Sequence, residues 1–129
     1  MGNQEPRFFA AVEDIFFGAK IAAAAKRVGV TVEFVHDESK LLQATELSPS
    51  VVLLDLNGRG FHPIEMIAKL KAAPDRPVQI IAFASHVQGD LIREAQKAGC
   101  DLVLPRSVFS QQLDDLLRQR SCHQSEPRP

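Results

Sequence analysis

The sequence has little of several residue types, and each shortage excludes a class of protein. Its two cysteines, Cys100 and Cys122, are too few for a disulfide framework or a zinc motif, which favours a reducing, cytoplasmic setting. Its apolar runs, such as residues 21–25, are far too short to span a membrane, and the amino terminus lacks the apolar segment of a signal peptide. Neither sign of charge dominates: 15 Lys and Arg against 16 Asp and Glu give a net charge of -1, so we expect no nucleic-acid binding.

The sequence does contain one domain's worth of apolar segments that alternate with helical ones. Its 129 residues are enough for a single core. Between a predicted flexible leader (1–6) and a predicted flexible tail (120–129), short apolar runs predict strands and amphipathic segments predict helices. The predicted strands are 8–12, 30–35, 51–56, 78–84 and 101–104, and the predicted helices are 15–28, 38–46, 63–72, 88–98 and 108–119.

Five strand-then-helix units predict an α/β fold with a parallel sheet. Each strand is apolar enough that we expect helices to cover both of its faces, and right-handed crossovers then give a three-layer, doubly wound sheet. The flavodoxin-like (βα)5 arrangement has the strand order 2-1-3-4-5, which places the first and third strands side by side. In such sheets a ligand site lies beyond the carboxyl ends of the strands.

Three carboxylates follow the two strands that are expected to be neighbours. Glu13 and Asp14 come after the first strand and Asp55 ends the third. Gathered in one cleft, they would raise each other's pKa unless a divalent cation lay between them, and oxygen ligands of this kind suit Mg²⁺. Arg106, after the fifth strand, would add a positive charge on the opposite side. For Glu13 and Asp14, capping of the following helix is an open alternative. For Asp55 capping is a poor explanation, because four turn residues (57–60) follow it. A carboxylate at the end of a buried strand is also costly without a partner.

Two phenylalanines stand directly beside the acidic pair. If a helix begins at residue 15, at most one of Phe16 and Phe17 can point into the core. We expect the other to pack against a neighbouring loop. Its exposure would instead indicate a surface for a protein partner.

Three segments resemble the receiver domain of response regulators, the module that accepts phosphate on an aspartate in two-component signalling. They are FFAAVED (8–14), VVLLDLNGRGFHPIE (51–65) and the stretch from Ala98 to Ser107. The similarity covers residues 7–119. It implies that Asp55 is the phosphoacceptor and that Mg²⁺ is bound by Glu13, Asp14, Asp55 and the backbone carbonyl of Asn57.

The chain departs from the receiver pattern at four of its signalling positions. Arg106 stands where the family has a lysine and Ser107 where it has a proline. The family's hydroxyl residue falls on Ala84, and Ser85 could supply the hydroxyl only if the next loop is one residue shorter. The family's aromatic switch residue falls on Val103. Since hydroxyl and aromatic normally move together, we expect an altered output.

The resemblance favours a stand-alone receiver that is phosphorylated on Asp55 and signals through protein contacts. Its expected partners are a histidine kinase or phosphotransfer protein and a separate output target. A homodimer is a further option, and no membrane association is expected. No enzyme activity is expected beyond phosphorylation and dephosphorylation of Asp55. The alternative is a pseudo-receiver, a binding module that keeps the fold without the chemistry. A nucleotide-binding enzyme is disfavoured because no glycine-rich loop follows the first strand.

Overall fold

Five strands alternate with five helices along the chain. The structure is a computed structural model that describes residues 6–46, 49–58, 62–72, 78–84 and 89–121. The strands are β1 (Arg7–Ala11), β2 (Val32–Phe34), β3 (Ser50–Asp55), β4 (Val78–Ala84) and β5 (Leu102–Pro105). The helices are α1 (Ile15–Val28), α2 (Glu38–Thr45), α3 (Pro63–Lys71), α4 (Gly89–Ala98) and α5 (Arg106–Ser121).

The strands form one parallel sheet in the order β2-β1-β3-β4-β5, so the predicted flavodoxin-like fold is confirmed. In the register of the central strands, Ala11 lies beside Leu54 and Asp55 beside Phe83. The segment that follows β1 therefore reaches the same edge of the sheet as the end of β3. This adjacency is what brings the predicted site residues together.

Two apolar layers cover the sheet, one on each face. Alternate residues of the central strands point to opposite sides, because side chains alternate along a strand. One face packs against α2, α3 and α4, with Met66, Ile67 and Leu70 at its centre. The other face packs against α1 and α5 through Phe17, Phe109 and their neighbours. On this face, Phe17 of α1 and Phe109 of α5 both contact the ring of Phe83 near the carboxyl end of β4.

The structure differs from the sequence prediction at the edge of the sheet and at the last helix. β2 has only three residues, and its Glu33 and Phe34 are exposed, so the expectation that every strand is covered on both faces is wrong for this edge strand. α5 begins at Arg106 rather than at residue 108, directly after Pro105. No turn separates β5 from this helix, and Arg106 is consequently held at the sheet edge.

No helix in the described ranges is both long enough and apolar enough to cross a membrane.

Candidate functional site

A cleft of about 350 Å³ opens at the carboxyl end of β1 and β3. Its lining consists of Glu13, Asp14, Asp55, Asn57, Gly58 and Arg106. Apart from Gly58, these are the residues that the sequence analysis proposed for metal binding and phosphoryl transfer. A larger groove of about 570 Å³ lies at the opposite end of the strands, far from this chemistry.

Asp55 is the last residue of β3 and is almost fully buried, with 8% of its surface exposed. Its Oδ1 accepts a hydrogen bond of 2.9 Å from the backbone N–H of Asn57, which closes a tight turn after the strand. Burial raises the pKa of Asp55, and the Asn57 hydrogen bond and the positive charge of Arg106 only partly offset this. Asp55 is thus a buried carboxylate at the mouth of a cleft.

Asp14 lies across the cleft and is already bonded on both of its oxygens. Its Oδ1 accepts from the backbone N–H groups of Phe16 (2.9 Å) and Phe17 (3.1 Å), which makes it the N-cap of α1. Its Oδ2 accepts from Nη2 of Arg106 at 2.8 Å. These contacts, the Phe17 N–H foremost, lower the pKa of Asp14. The capping alternative therefore describes Asp14 correctly, but capping accounts for only one of its two oxygens.

Arg106 pairs with Asp14 while its guanidinium lies over an aromatic ring. The guanidinium carbon is 4.6 Å from the centre of the Phe17 ring and 6.0 Å from that of Phe83, within the range of cation–π attraction. Within the described part of the chain, its buried Nε has no hydrogen-bond partner. The sequence analysis expected a positive charge opposite the carboxylates, whereas the structure ties that charge to one of them.

Glu13 completes the acidic lining and is exposed at the rim of the cleft. The donor set fits a hard cation, because Glu13, Asp14 and Asp55 supply carboxylate oxygens to one cleft. Among the described residues, however, no three His, Cys, Asp or Glu side chains form a group arranged for a metal ion. A metal that used all three carboxylates would have to compete with Arg106 for Asp14.

The structure describes two of the three residues considered for signal output, Ser85, Ala84 and Val103. Ser85, the candidate hydroxyl, lies outside the described residues. Ala84 ends β4 and is fully buried. Val103 is half-buried on β5 against the core of the α3 and α4 face. The side chains of Ala84 and Val103 carry no polar group, so neither side chain can hydrogen-bond a phosphoryl group.

The amino end of α1 exposes two large apolar side chains beside the cleft. Phe17 points into the core, whereas Phe16 is 84% exposed and the preceding Ile15 is 82% exposed. The expectation that the second phenylalanine packs against a loop is therefore wrong. The reason is geometric, because residues 16 and 17 are about 100° apart around the helix and only one of these directions faces the sheet.

Sequence analysis missed the aromatic cluster beneath the cleft. The rings of Phe17, Phe83 and Phe109 are 4.5 to 5.7 Å apart and come from α1, β4 and α5. Together they form the floor on which Arg106 lies. The only signal in the sequence was arginine in place of lysine, since a planar guanidinium stacks on rings better than an ammonium does.

No protein-family model matches the sequence, and no curated protein is similar enough to count as a relative. Comparison of structures, in contrast, gives many matches to receiver domains. A response regulator in red light signaling of R. palustris is 18% identical with a TM-score of 0.73, and the match covers 96% of this chain and 99% of that one. The phosphorylated cyanobacterial phytochrome response regulator RcpA is 16% identical with a TM-score of 0.74, covering 95% and 98%.

A third similar structure is the receiver domain of a sensor histidine kinase from Pseudomonas aeruginosa, with a magnesium ion coordinated in its active site cleft. It is 20% identical with a TM-score of 0.74, and the match covers 93% of this chain and 99% of that one. The chain thus has the fold of response-regulator receiver domains over nearly its whole length. The resemblance drawn from three sequence segments is confirmed at the level of the fold.

Proposed function

We propose that this chain is a receiver domain that accepts a phosphoryl group on Asp55 in a two-component phosphorelay. The observation that carries the proposal is the position of Asp55: a buried carboxylate at the end of the central strand, opening into a cleft with Glu13, Asp14 and Arg106. Such a group serves the packing of the domain poorly, because burial disfavours its charge. In this cleft, however, the Asp55 carboxylate is accessible to a phosphodonor, and its negative charge is what the proposed reaction requires.

In the proposed reaction, a carboxylate oxygen of Asp55 attacks the phosphorus of a phosphohistidine or of a small phosphodonor. A bond forms between Asp55 and phosphorus, and the bond from phosphorus to the donor breaks, with its electron pair leaving on the donor. Because Oδ1 is held by the N–H of Asn57, we assign the attack to Oδ2. The hydrogen bond fixes the rotation of the carboxylate, which orients the attacking oxygen.

We infer that Mg²⁺ is the cofactor of this reaction. The residues that would hold it are Glu13, Asp14, Asp55 and the backbone carbonyl of Asn57. When bound, the ion would spread the negative charge that develops on the transferring group. A similar receiver structure carries Mg²⁺ in its active site cleft, which supports this part of the proposal.

The exposed side chains of Ile15 and Phe16 support a docking site for the phosphodonor protein. They lie at the start of α1, next to Asp14 on the rim of the cleft. An apolar patch in this place could seat a histidine kinase or phosphotransfer protein with its histidine directed at Asp55. We propose a cytoplasmic signalling module that acts through protein contacts and, with Ala84 and Val103 at the switch positions, passes its signal to a separate protein by an altered route.

The proposal is tested by phosphorylation with a small donor. The full chain is incubated with acetyl phosphate or phosphoramidate and MgCl₂, and intact mass is recorded. We expect the added mass of one phosphoryl group, which is absent without Mg²⁺ and absent in Asp55→Asn, a variant that keeps the size of the side chain and an oxygen for Asn57.

Asp115→Asn is the matched control, since Asp115 is an exposed aspartate on α5 away from the cleft. It should be phosphorylated like the parent. Equal labelling of Asp55→Asn and the parent would reject Asp55 as the acceptor. No labelling of any variant, together with no metal binding, would leave a pseudo-receiver binding module.

A further inference from the structure

Arg106 is held in the cleft by two kinds of contact that act together. Its Nη2 donates to Oδ2 of Asp14 at 2.8 Å, and its guanidinium carbon lies 4.6 Å from the centre of the Phe17 ring. Both partners belong to the start of α1, whereas Arg106 is the first residue of α5. One side chain thus joins two helices across the cleft.

The position of this arginine in its own helix is unfavourable for its charge. The amino end of a helix carries partial positive charge, which repels a cation in the first turn. Asp14, at the amino end of α1, is in the opposite situation, since its negative charge is favoured there. Arg106 is therefore held by Asp14 and Phe17, and its own helix contributes nothing to holding it.

We propose that Arg106 acts as the internal cation of this cleft, and that a divalent metal ion can use Asp14 only by displacing it. This inference rests on the proposed metal-assisted function. Oδ2 of Asp14 already accepts from the positively charged Arg106, and Oδ1 accepts from the N–H groups of Phe16 and Phe17, so a metal at Asp14 has to compete with the guanidinium for the carboxylate.

A lysine in this place would compete less. An ammonium has neither the planar face that rests on Phe17 nor the forked donors of a guanidinium. Arginine at position 106 thus makes metal binding, and with it phosphorylation, harder to start than a lysine would. Arg106 is in this sense a positioning residue that sets the metal affinity of the cleft.

The test is binding of Mn²⁺ to the full chain, without phosphodonor, followed by the loss of the electron paramagnetic resonance signal of free Mn²⁺. The variants are Arg106→Ala, Arg106→Lys and the control Arg118→Ala, which removes the same charge from an exposed ion pair on the same helix. We expect Arg106→Ala to bind Mn²⁺ about three- to tenfold more tightly than the parent, the range set by one partly exposed ion pair and one cation–π contact. Arg106→Lys should lie between, and Arg118→Ala should match the parent.

A second readout follows the arginine itself. The Nε–H resonance of Arg106, assigned in a ¹⁵N spectrum by its loss in Arg106→Lys, should shift when MgCl₂ is added, while that of Arg118 should not. Unchanged Mn²⁺ affinity in Arg106→Ala, with the parent still binding, would overturn the inference and leave the proposed function standing. Binding by neither protein would overturn both, since removal of the arginine would then have opened nothing.

Discussion

Two aspartates face the same cleft and have opposite electrostatic situations. Asp14, at the start of α1, has its pKa lowered by the N–H groups of Phe17 and Phe16 and by Arg106. Asp55, at the end of β3, has its pKa raised, because burial outweighs the hydrogen bond from Asn57 and the positive charge of Arg106. The two carboxyl groups lie at the carboxyl ends of adjacent strands, yet among the described residues Asp14 is hydrogen-bonded on both oxygens and Asp55 on one.

The difference teaches which part of the cleft is structure and which part is available for chemistry. Asp14 helps to fold the domain: it caps one helix and ties a second helix to it. Asp55 contributes little to folding, because its charge is costly where it lies. A group that is costly to the fold but exposed to a cleft is a candidate for function.

The largest effect on stability should come from the cluster of Phe17, Phe83 and Phe109, which lies beneath the cleft that both aspartates face. Phe83 is fully buried between Phe17 and Phe109, and in the sheet it lies beside Asp55. Phe83→Ala should lower the free energy of unfolding by about 3–5 kcal/mol, because it removes a large side chain from a packed core. Urea denaturation followed by far-ultraviolet circular dichroism is the measurement, since the chain has no Trp or Tyr.

Phe16→Ala is the matched control, the same substitution on a ring that is 84% exposed. It should change the free energy of unfolding by less than about 0.5 kcal/mol. Equal losses of unfolding free energy in the two variants would mean that the buried ring cluster stabilises the fold no more than an exposed ring does.

The sequence predicted the fold well because its signals were repeated. Five apolar runs followed by helical segments specify a parallel sheet, and α1 and β4 occur at the predicted residues. It also predicted which polar residues meet, because strand order alone brings Glu13, Asp14 and Asp55 to one edge. The pairing within the cleft could not be predicted. Whether Arg106 faces Asp14 or Asp55 depends on where α5 begins and on the Phe17 ring of α1. The local sequence pattern predicts neither of these.

A smaller effect should separate the two aspartates by its sign. At neutral pH, Asp14→Ala should lower the free energy of unfolding, because the cap of α1 and the ion pair to Arg106 are both lost. Asp55→Asn should raise it, because a buried charge is removed while the oxygen facing Asn57 remains. Asp37→Ala is the control for capping alone, since Asp37 caps α2 through Ser39 and Lys40 in the same way.

The dependence of these effects on pH should also be opposite. The folded pKa of Asp14 lies below the ordinary value of 3.8, so its contribution is present above that pH and is lost as the pH falls through the folded pKa. The folded pKa of Asp55 lies above 3.8, so its penalty is largest at neutral pH and disappears as the pH falls through the folded pKa towards 3.8. The advantage of Asp55→Asn should therefore shrink on acidification, at higher pH than the deficit of Asp14→Ala. A lower free energy of unfolding for Asp55→Asn than for the parent at neutral pH would contradict the inference that the charge of Asp55 is costly to the fold.

The smallest effect should come from a second ion pair between α1 and α5, which repeats the Arg106–Asp14 contact without the ring beneath it. Arg27 donates to both carboxylate oxygens of Asp114, at 2.9 and 2.8 Å, and lowers the pKa of Asp114. Arg27→Ala should return that pKa towards 3.8, as followed by side-chain carboxyl NMR, with only a slight change in stability. Because the pair is open to solvent, about 1 M salt should erase the difference between Arg27→Ala and the parent.

The effect of Arg106→Ala on Mn²⁺ affinity, measured in the same salt, should persist in part, since attraction to the Phe17 ring does not need an exposed counter-charge. Equal sensitivity of the two effects to salt would mean that the ring adds nothing, and that the cleft pair is an ordinary surface ion pair.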